Sequence, residues 1–249
     1  MCLAGLFAKV KDDGDSATRG EKMRLKDRKV RYLIGLIRVM TFEDQKSLDV
    51  QGKLIEAMFP DLQVLSRCIP DQHEGIHDEK TQEKAEPKII DLARKFMQED
   101  LNALIISCAA DPALDVLRKE LPFPIVGAGS AAAHCSLCVG SRIGVLGIGT
   151  KVPEKIQKIL GEKCVAYRKI PQIQNASEIS PGVLQGALEK CGDLVDLEAD
   201  VILLACAGLA AVGLAQLIYE QFGVISVDPV HAAGSVVRQI LSVTRKGIL

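Results

Sequence analysis

Two cysteines stand at matching places in two similar stretches of the sequence. Cys108 follows the aliphatic run ALIIS, and Cys206 follows the run VILLA, 98 positions later. A thiol at the end of a strand, where a helix begins, is placed so that backbone N–H groups and the helix dipole favour the thiolate. Two such groups on opposite faces of one carbon meet the needs of stereochemical inversion, because one removes the α-proton and the other returns a proton.

The residues after each cysteine are small. Ala109 and Ala110 follow the first, and Ala207 and Gly208 follow the second, which leaves backbone amides free to approach an oxyanion such as an enolate. Cysteine is also among the residue types most often buried, so each thiol alone could be a small core side chain. The matching placement in two units favours the catalytic interpretation.

Short aliphatic runs alternate with segments of helical length along the chain, a pattern typical of the α/β class. The runs that predict strands span residues 30–37, 62–66, 103–107, 124–127, 142–148, 164–168, 201–205 and 224–228. The segments that predict helices span residues 47–58, 81–99, 113–119, 131–139, 153–160, 181–195, 210–221 and 232–244. Crossovers of this length imply parallel pairing of the strands.

Each set of four predicted strands contains one strand–cysteine–helix–strand unit, which indicates an internal duplication. We expect two pseudosymmetric, doubly wound α/β lobes, each with a mainly parallel four-stranded sheet, and an active site in the cleft between them. Residues 30–127 plus 232–249 form the first predicted lobe, and residues 128–231 form the second. Residues 1–29 are rich in charge and are expected to be a flexible tail.

Composition argues for small-molecule chemistry. The chain carries 31 basic and 32 acidic side chains, no Trp, 3 Tyr and 6 Phe, so neither a basic field nor aromatic stacking supports nucleic-acid binding. The sparse cysteines and the lack of an export signal predict a cytoplasmic protein. Residues 201–219 carry no formal charge, and we interpret them as a buried strand followed by a helix, with no association with a membrane.

Five segments together resemble the cofactor-independent aspartate/glutamate/hydantoin racemase superfamily, and its hydantoin racemase branch in particular. They are SCAADPAL (107–114), PIVGAGSAAA (124–133), RIGVLGIGT (142–150), ACAGLA (205–210) and VDPVHAA (227–233). The resemblance covers the chain from about Val30 onward. It implies two lobes with the site between them, Cys108 and Cys206 as the two bases, no pyridoxal phosphate, no metal and a homo-oligomer.

The sequence also departs from that family. Hydantoin and allantoin racemases often carry Asn-Pro-Asn-Thr after the first strand, and here only Thr41 of Arg38-Val39-Met40-Thr41 matches. Amino-acid racemases often place Asn and Thr after the first cysteine, where this chain has two alanines. If Arg38 points into the cleft, it favours a substrate with a carboxylate; if it points outward, it is an ordinary solvated charge.

The segment GAGSAA (127–132) matches the dinucleotide pattern G-x-G-x-x-A. The acid that should follow about 20 residues later is missing, so we favour a tight turn whose amides bind a small anionic group. Gly129 and Ser130 of this turn are therefore expected to contact the substrate, and Thr150 is a separate candidate that would supply a hydroxyl group.

Four further features are interpreted as structural. Cys135 and Cys138 form an isolated CxxC and are expected to be buried on one helix face. His73 and His77 are assigned to a solvated loop, and His231 to a helix surface or the core. Asp111-Pro112 and Asp228-Pro229 are each expected to cap the helix that directly follows.

The leading hypothesis is a cofactor-independent racemase that inverts a stereocentre α to a carbonyl in a hydantoin-like or amino-acid substrate. One alternative keeps the superfamily but changes the reaction, to a decarboxylase or a cis–trans isomerase that uses one cysteine. Another alternative, based on GAGSAA, is a dinucleotide-binding or sensor protein without catalysis.

Overall fold

A computed structural model describes residues 32–243, in which strands and helices alternate. The strands are β1 (Tyr32–Arg38), β2 (Leu62–Cys68), β3 (Ala103–Ser107), β4 (Ile125–Gly127), β5 (Ile143–Gly147), β6 (Cys164–Lys169), β7 (Val201–Leu204) and β8 (Ile225–Val227). The α-helices are α1 (Gln45–Met58), α2 (Glu79–Lys95), α3 (Leu114–Glu120), α4 (Ala128–Val139), α5 (Glu154–Leu160), α6 (Leu184–Val195), α7 (Leu214–Phe222) and α8 (Pro229–Val243).

The strands form two four-stranded sheets with the same topology. The strand orders are β2-β1-β3-β4 and β6-β5-β7-β8, and every pairing is parallel. The second sheet therefore repeats the first with each strand advanced by four, as the predicted duplication requires. This confirms the predicted fold class of two parallel α/β sheets flanked by helices.

The central strands are apolar because both of their faces are covered. All five residues of β3 and all four of β7 are buried, as expected for parallel strands with helices on each side. The uncharged run 201–219 consists of β7, a 3-10 helix (Ala207–Val212) and most of α7. Within residues 32–243 no helix is both long enough and apolar enough to cross a membrane.

The two sheets share one inner core. Ile34 and Ile105 of the first sheet belong to the same buried cluster as Val145 and Leu203 of the second, together with residues of α4 and α8. The outer face of the first sheet is covered by α2 and α3, and that of the second by α6 and α7. The predicted tail, residues 1–29, and residues 244–249 of the first predicted lobe lie outside the described residues.

Asp228 and Asp111 both bind a helix N-terminus, but not in the same way. Asp228 Oδ1 accepts hydrogen bonds from the backbone N–H groups of Val230 and His231 at the start of α8, which confirms the predicted cap. Asp111 does not cap α3, and that prediction is wrong. Its carboxylate instead accepts hydrogen bonds from the backbone N–H groups of Gly129 and Ser130 and from the Ser130 hydroxyl at the start of α4.

Candidate active site

A cleft of about 610 Å³ lies at the carboxyl ends of the strands of both sheets. It is lined by residues that end or closely follow strands of each sheet: Arg38, Ser107, Cys108, Thr150, Ala205 and Cys206. Parallel strands bring their carboxyl ends to one edge of a sheet, which is why residues far apart in the sequence meet here.

Most of the predicted site residues line this cleft. Cys108 and Cys206 are free thiols with exposed fractions of 8% and 9%. The small residues that follow them also contribute to the lining, as does the predicted hydroxyl of Thr150: Ala109, Ala110, Ala207, Gly208 and Thr150. The structure therefore brings the residues after both cysteines together around one cavity.

The two thiols have matching hydrogen-bond environments. Backbone N–H groups two and three residues after each cysteine, those of Ala110 and Asp111 for Cys108 and of Gly208 and Leu209 for Cys206, act to lower the thiol pKa. The duplication of the strand–cysteine unit accounts for this match.

Burial raises the pKa of each thiol by more than the backbone groups lower it. Removal from water raises the pKa of Cys108 to about 12 and that of Cys206 to about 11, because a low-dielectric site disfavours the charged form. The backbone groups at the strand ends act in the expected direction, towards the thiolate, but their effect is smaller than that of burial. Only Cys206 directly precedes a helical segment, whereas α3 begins at Leu114, several residues after Cys108.

The charges near the two thiols differ in sign. The Asp111 carboxylate raises the pKa of Cys108, and the Arg38 guanidinium lowers the pKa of Cys206. The charge of Cys206 also raises the pKa of Cys108, so the two sulfurs are electrostatically coupled within the cleft. One thiol therefore has an anionic neighbour and the other a cationic neighbour.

Arg38 points inward. Its exposed fraction is 8%, and its Nη1 donates hydrogen bonds to the carbonyls of Ser47 (3.1 Å) and Leu48 (2.8 Å) in the first turns of α1. Its guanidinium carbon lies 4.2 Å from the centre of the Phe42 ring. Of the two orientations considered from the sequence, the solvated one is wrong. Burial lowers the pKa of Arg38 to about 10, so the side chain stays charged at neutral pH.

Gln51 is a cleft residue that the sequence analysis missed. It is 1% exposed; its Oε1 accepts a 2.6 Å hydrogen bond from Ser107 Oγ, and its Nε2 donates a 2.8 Å hydrogen bond to the carbonyl of Ala207. The residue before Cys108 is thus joined to the residue after Cys206. A signal was present, because Gln51 interrupts the apolar face of α1 between Leu48 and Ile55.

Tyr167 and His77 also line the cleft. The Tyr167 hydroxyl donates a 2.7 Å hydrogen bond to the carbonyl of Gly149, and burial raises the pKa of Tyr167 to about 12. The His77 side chain is only 20% exposed, so its assignment to a solvated loop is wrong, whereas that of His73, at 63%, fits. Neither Tyr167 nor His77 belongs to a motif that would identify it from the sequence.

Three of the predicted site residues are not part of the described cleft lining. Thr41 Oγ1 donates to the carbonyl of Ile69 and accepts from the N–H of Gln72, each at 2.8 Å, so it holds a loop. Gly129 and Ser130 direct their N–H groups to Asp111. The small anionic group bound by this turn is therefore a carboxylate of the chain itself.

The same turn packs closely against the loop after β3. A Cβ atom built on Gly129 would lie 2.0 Å from the carbonyl oxygen of Ala109, so the glycine allows α4 to pack directly against the loop after β3. The amides of Gly129 and Ser130 are already bonded to Asp111, so these two are not free to bind the phosphate of a dinucleotide. The CxxC prediction is also corrected, because Cys138 is exposed and Cys135 is only partly buried.

Comparison with known proteins agrees with this architecture. The Asp/Glu/Hydantoin racemase family model matches residues 53–236, and the chain belongs to that family. A hydantoin racemase from Paenarthrobacter aurescens is 26% identical over 161 residues, covering 62% of this chain and 67% of the relative. Family membership confirms the predicted class of enzyme, an isomerase of the racemase type.

Solved structures share the fold. An allantoin racemase from Klebsiella pneumoniae superposes with a TM-score of 0.74 at 20% identity, covering 85% of this chain and 88% of that one. An arylmalonate decarboxylase variant superposes with a TM-score of 0.63 at 15% identity, covering 86% and 94%. At these identities the similarity concerns the fold.

Proposed function

We propose that this chain is a racemase that inverts a stereocentre next to a carbonyl group, with Cys108 and Cys206 as its two acid–base groups. The observation that carries this proposal is the placement of two buried thiols, each just after the equivalent strand of its sheet, in the lining of one cleft. The substrate is a hydantoin-like ring or an amino acid, as the family comparison suggests.

The reaction needs one thiolate and one thiol at a time. The thiolate removes the α-proton, the electron pair of the broken C–H bond passes into the carbonyl to form an enolate, and the opposite thiol donates its proton to the other face of the carbon. The two groups have then exchanged roles. Two-base inversion of this kind requires no redox step and no covalent intermediate.

The buried setting of the thiols suits this chemistry. An α-proton next to a carbonyl is a weak acid, and a base with a raised pKa is a stronger proton acceptor. The backbone N–H groups that follow each cysteine act to lower its thiol pKa and so favour the thiolate when it forms. The cost is a small thiolate population at neutral pH, since both thiol pKa values lie well above 7.

The cleft dimensions and charge support a small polar substrate. A volume of about 610 Å³ is in the range of small-molecule sites. Arg38 places a positive charge in the lining, which suits a carboxylate or the anionic form of a hydantoin ring. We propose that Ala109, Ala110, Thr150, Ala207 and Gly208 contact the substrate, and that the protein acts in the cytoplasm, as a homo-oligomer, without pyridoxal phosphate or metal.

Proton exchange in heavy water tests the proposal. The wild-type protein is incubated with L- and D-amino acids, 5-substituted hydantoins, allantoin and an arylmalonate, and the α-proton signal is followed by NMR alongside chiral analysis. We expect loss of the α-proton with inversion for one of the first three classes, and neither in the Cys108→Ala/Cys206→Ala double variant. Inversion by the double variant, or carbon dioxide release from the malonate without inversion of any substrate, would contradict the proposal.

A further inference from the structure

The guanidinium of Arg38 is held in place by the protein itself. Its Nη1 donates hydrogen bonds to the carbonyls of Ser47 and Leu48 in α1, and its flat face lies against the Phe42 ring. The residue is only 8% exposed. Its position and the plane of its guanidinium are therefore set before any ligand binds.

The other edge of this guanidinium has no partner in the protein. Within residues 32–243 neither Nε nor Nη2 of Arg38 makes a hydrogen bond. In the same part of the chain the fully buried side-chain polar atoms without a partner are Ser66 Oγ and His77 Nδ1. Nε and Nη2 are therefore not enclosed, and the open space beside Arg38 is the cleft that it lines. These two N–H groups form the side-on edge with which arginine binds both oxygens of one carboxylate.

No acidic side chain among residues 32–243 forms an ion pair with Arg38. Asp49 in α1 is the acidic residue that acts on its charge, but Asp49 accepts a hydrogen bond from Gln45 and is not part of the described cleft lining. Burial of an unpaired charge is costly unless a counter-charge is close. A ligand that brings a carboxylate into the cleft supplies that counter-charge.

Strand register places Arg38 beside the first cysteine segment. Arg38 ends β1 and pairs with Ser107, the last residue of β3, and Cys108 follows directly and lines the same cleft. Neighbouring strands lie about 5 Å apart. A carboxylate bound by Arg38 would therefore hold the adjacent carbon near the end of β3, where the thiol of Cys108 begins.

Other cations of the described lining are less suited to this role. Lys151 and Lys155 are paired with acidic side chains at 2.6 and 2.7 Å, and Lys80 is exposed, so that water and salt screen its charge. Lysine also lacks the planar fork that binds two oxygens at once. Arg38 is the cation of this lining that combines deep burial with an N–H edge left for a ligand.

We propose that Arg38 determines the substrate class, because its Nε and Nη2 bind a carboxylate next to the stereocentre. The substrate is then an open-chain α-amino acid, free or acylated on nitrogen, and an intact hydantoin ring lacks the group that this edge recognises. The inference rests on the proposed function, since it specifies the substrate of the same site. Binding of the carboxylate does not itself require the reaction.

The same edge suits the charge that develops in the reaction. One thiolate takes the α-proton as the C–H bond breaks, and the electron pair passes into the carboxylate to form an enediolate. The opposite thiol then donates its proton to the other face of the carbon. The enediolate carries one more negative charge than the substrate, and a fixed guanidinium stabilises that charge.

Matched substrates test the inference in the wild-type protein. For each of several side chains, four compounds are compared: the amino acid, its N-carbamoyl derivative, the carboxamide of that derivative and the corresponding 5-substituted hydantoin. Exchange of the α-proton in heavy water is followed by NMR against a protein-free blank. We expect kcat/KM to be at least about tenfold higher for one of the two acids than for the carboxamide and the hydantoin. Equal or faster exchange of the hydantoin or the carboxamide would overturn the proposal.

This preference would report the site and not the chemistry of the substrates. Without protein, the neutral carboxamide and hydantoin lose the α-proton more readily than the carboxylate does, because the carboxylate must take up a second negative charge. The two acids also distinguish a free amino group from an acylated one.

Variants of Arg38 identify the cause. Arg38→Gln is expected to lower kcat/KM by about a hundredfold for the acid and by less than about threefold for the carboxamide, and Arg38→Lys to restore only part of the loss because it lacks the fork. Arg67→Gln is the matched control and should change neither value, since Arg67 also stacks on a phenyl ring, that of Phe96, but is paired with Glu99 outside the described cleft lining. Equal losses for acid and carboxamide in Arg38→Gln would show a purely structural role.

Binding without turnover separates this inference from the proposed function. In the Cys108→Ala/Cys206→Ala variant, calorimetric titration with the same acids should show binding that Arg38→Gln weakens at least about tenfold. Such binding without inversion by the wild type refutes the proposed function alone. Inversion of hydantoins but of no acid, or no binding of any acid at millimolar concentration, refutes this inference. If Arg38→Gln does not fold, the wild-type preference and Arg38→Lys decide.

Discussion

The side-chain amide of Gln51 donates a 2.8 Å hydrogen bond to the carbonyl of Ala207, the residue after Cys206. Its oxygen accepts a 2.6 Å hydrogen bond from Ser107, the residue before Cys108. One buried helical side chain therefore connects the two cysteine segments, which belong to different sheets. The placement of the two cysteine segments around one cleft therefore depends on this connection as well as on the two sheets.

Gln51→Leu removes both hydrogen bonds and leaves the Ser107 hydroxyl and the Ala207 carbonyl without this partner. We expect the free energy of unfolding to fall by about 2 kcal/mol or more, because buried polar groups that lose a partner carry their desolvation cost. Urea denaturation measures this. Gln45→Leu is the control in the same helix, since Gln45 makes only an exposed bond to Asp49; equal stability of the two variants would contradict the account.

The same variant should also separate proton exchange from inversion. Loss of the two Gln51 hydrogen bonds is expected to shift the cysteine segments relative to each other. One thiol can then still remove the α-proton, but the opposite thiol is no longer placed to donate a proton to the other face of the carbon. We expect the ratio of inversion to exchange in heavy water to fall several-fold in Gln51→Leu. A ratio is independent of the folded fraction, so an unchanged value would show that Gln51 has a purely structural role.

Asp111→Ala removes the remote cap of α4. The backbone N–H groups of Gly129 and Ser130 lose their acceptor, and we expect destabilisation by about 1–3 kcal/mol. The control is Asp115→Ala, whose exposed carboxylate pairs with Lys155 and should contribute less than about 1 kcal/mol. Thermal unfolding of both variants checks the prediction, and equal losses would count against the assignment of the cap.

Gly129→Ala tests the close packing of α4 against the loop after β3. The new Cβ would meet the Ala109 carbonyl oxygen at 2.0 Å, so the backbone has to move, and we expect a clear loss of stability together with loss of activity. Gly182→Ala is the control, because its nearest described neighbour is the Ser180 hydroxyl at 3.6 Å. Normal stability of Gly129→Ala in urea denaturation would contradict the close approach.

His231 should make stability depend on pH. Its Nδ1 lies 2.5 Å from Asp228 Oδ2, and this hydrogen bond raises the pKa of His231 in the folded protein. The stabilisation is therefore fully present below the unfolded pKa of about 6.5 and is lost as the pH rises through the folded value. We expect the difference in unfolding free energy between wild type and His231→Gln to be larger at about pH 5.5 than at about pH 8.5.

The control for that titration is His73→Gln, since His73 is 63% exposed and its nearest carboxylate oxygen, on Glu43, is 3.9 Å away. This variant removes only an exposed side chain, so its free energy of unfolding should stay within about 0.5 kcal/mol of the wild-type value. A difference for His231→Gln that grows with pH would have the wrong sign and would contradict the role of Asp228.

The parts of the fold that depend on local pattern were predictable. The aliphatic runs located all eight strands, and β3 has the predicted bounds because it is apolar on both faces. The repeated strand–cysteine unit located both thiols of the cleft. These features need only hydrophobic periodicity and repetition, which a sequence displays directly.

The parts that depend on tertiary contact were not predictable. Asp111 is followed by Pro112 as a local cap would be, yet its carboxylate reaches a helix that begins 17 residues later. The acidity of the thiols depends on burial and on which charged side chain lies beside each sulfur. Gln51 is visible in the sequence as a polar residue on the apolar face of α1, but its hydrogen-bond partners are not, because they depend on the approach of β3 and the segment after β7.

The most direct test of the two-thiol account compares Cys108→Ser with Cys206→Ser on whichever substrate the wild-type protein racemises. Both variants should lose inversion by about a hundredfold or more, and each should exchange the α-proton of at most one enantiomer with heavy water, the two variants acting on opposite enantiomers. Full racemisation by either single variant would contradict the account.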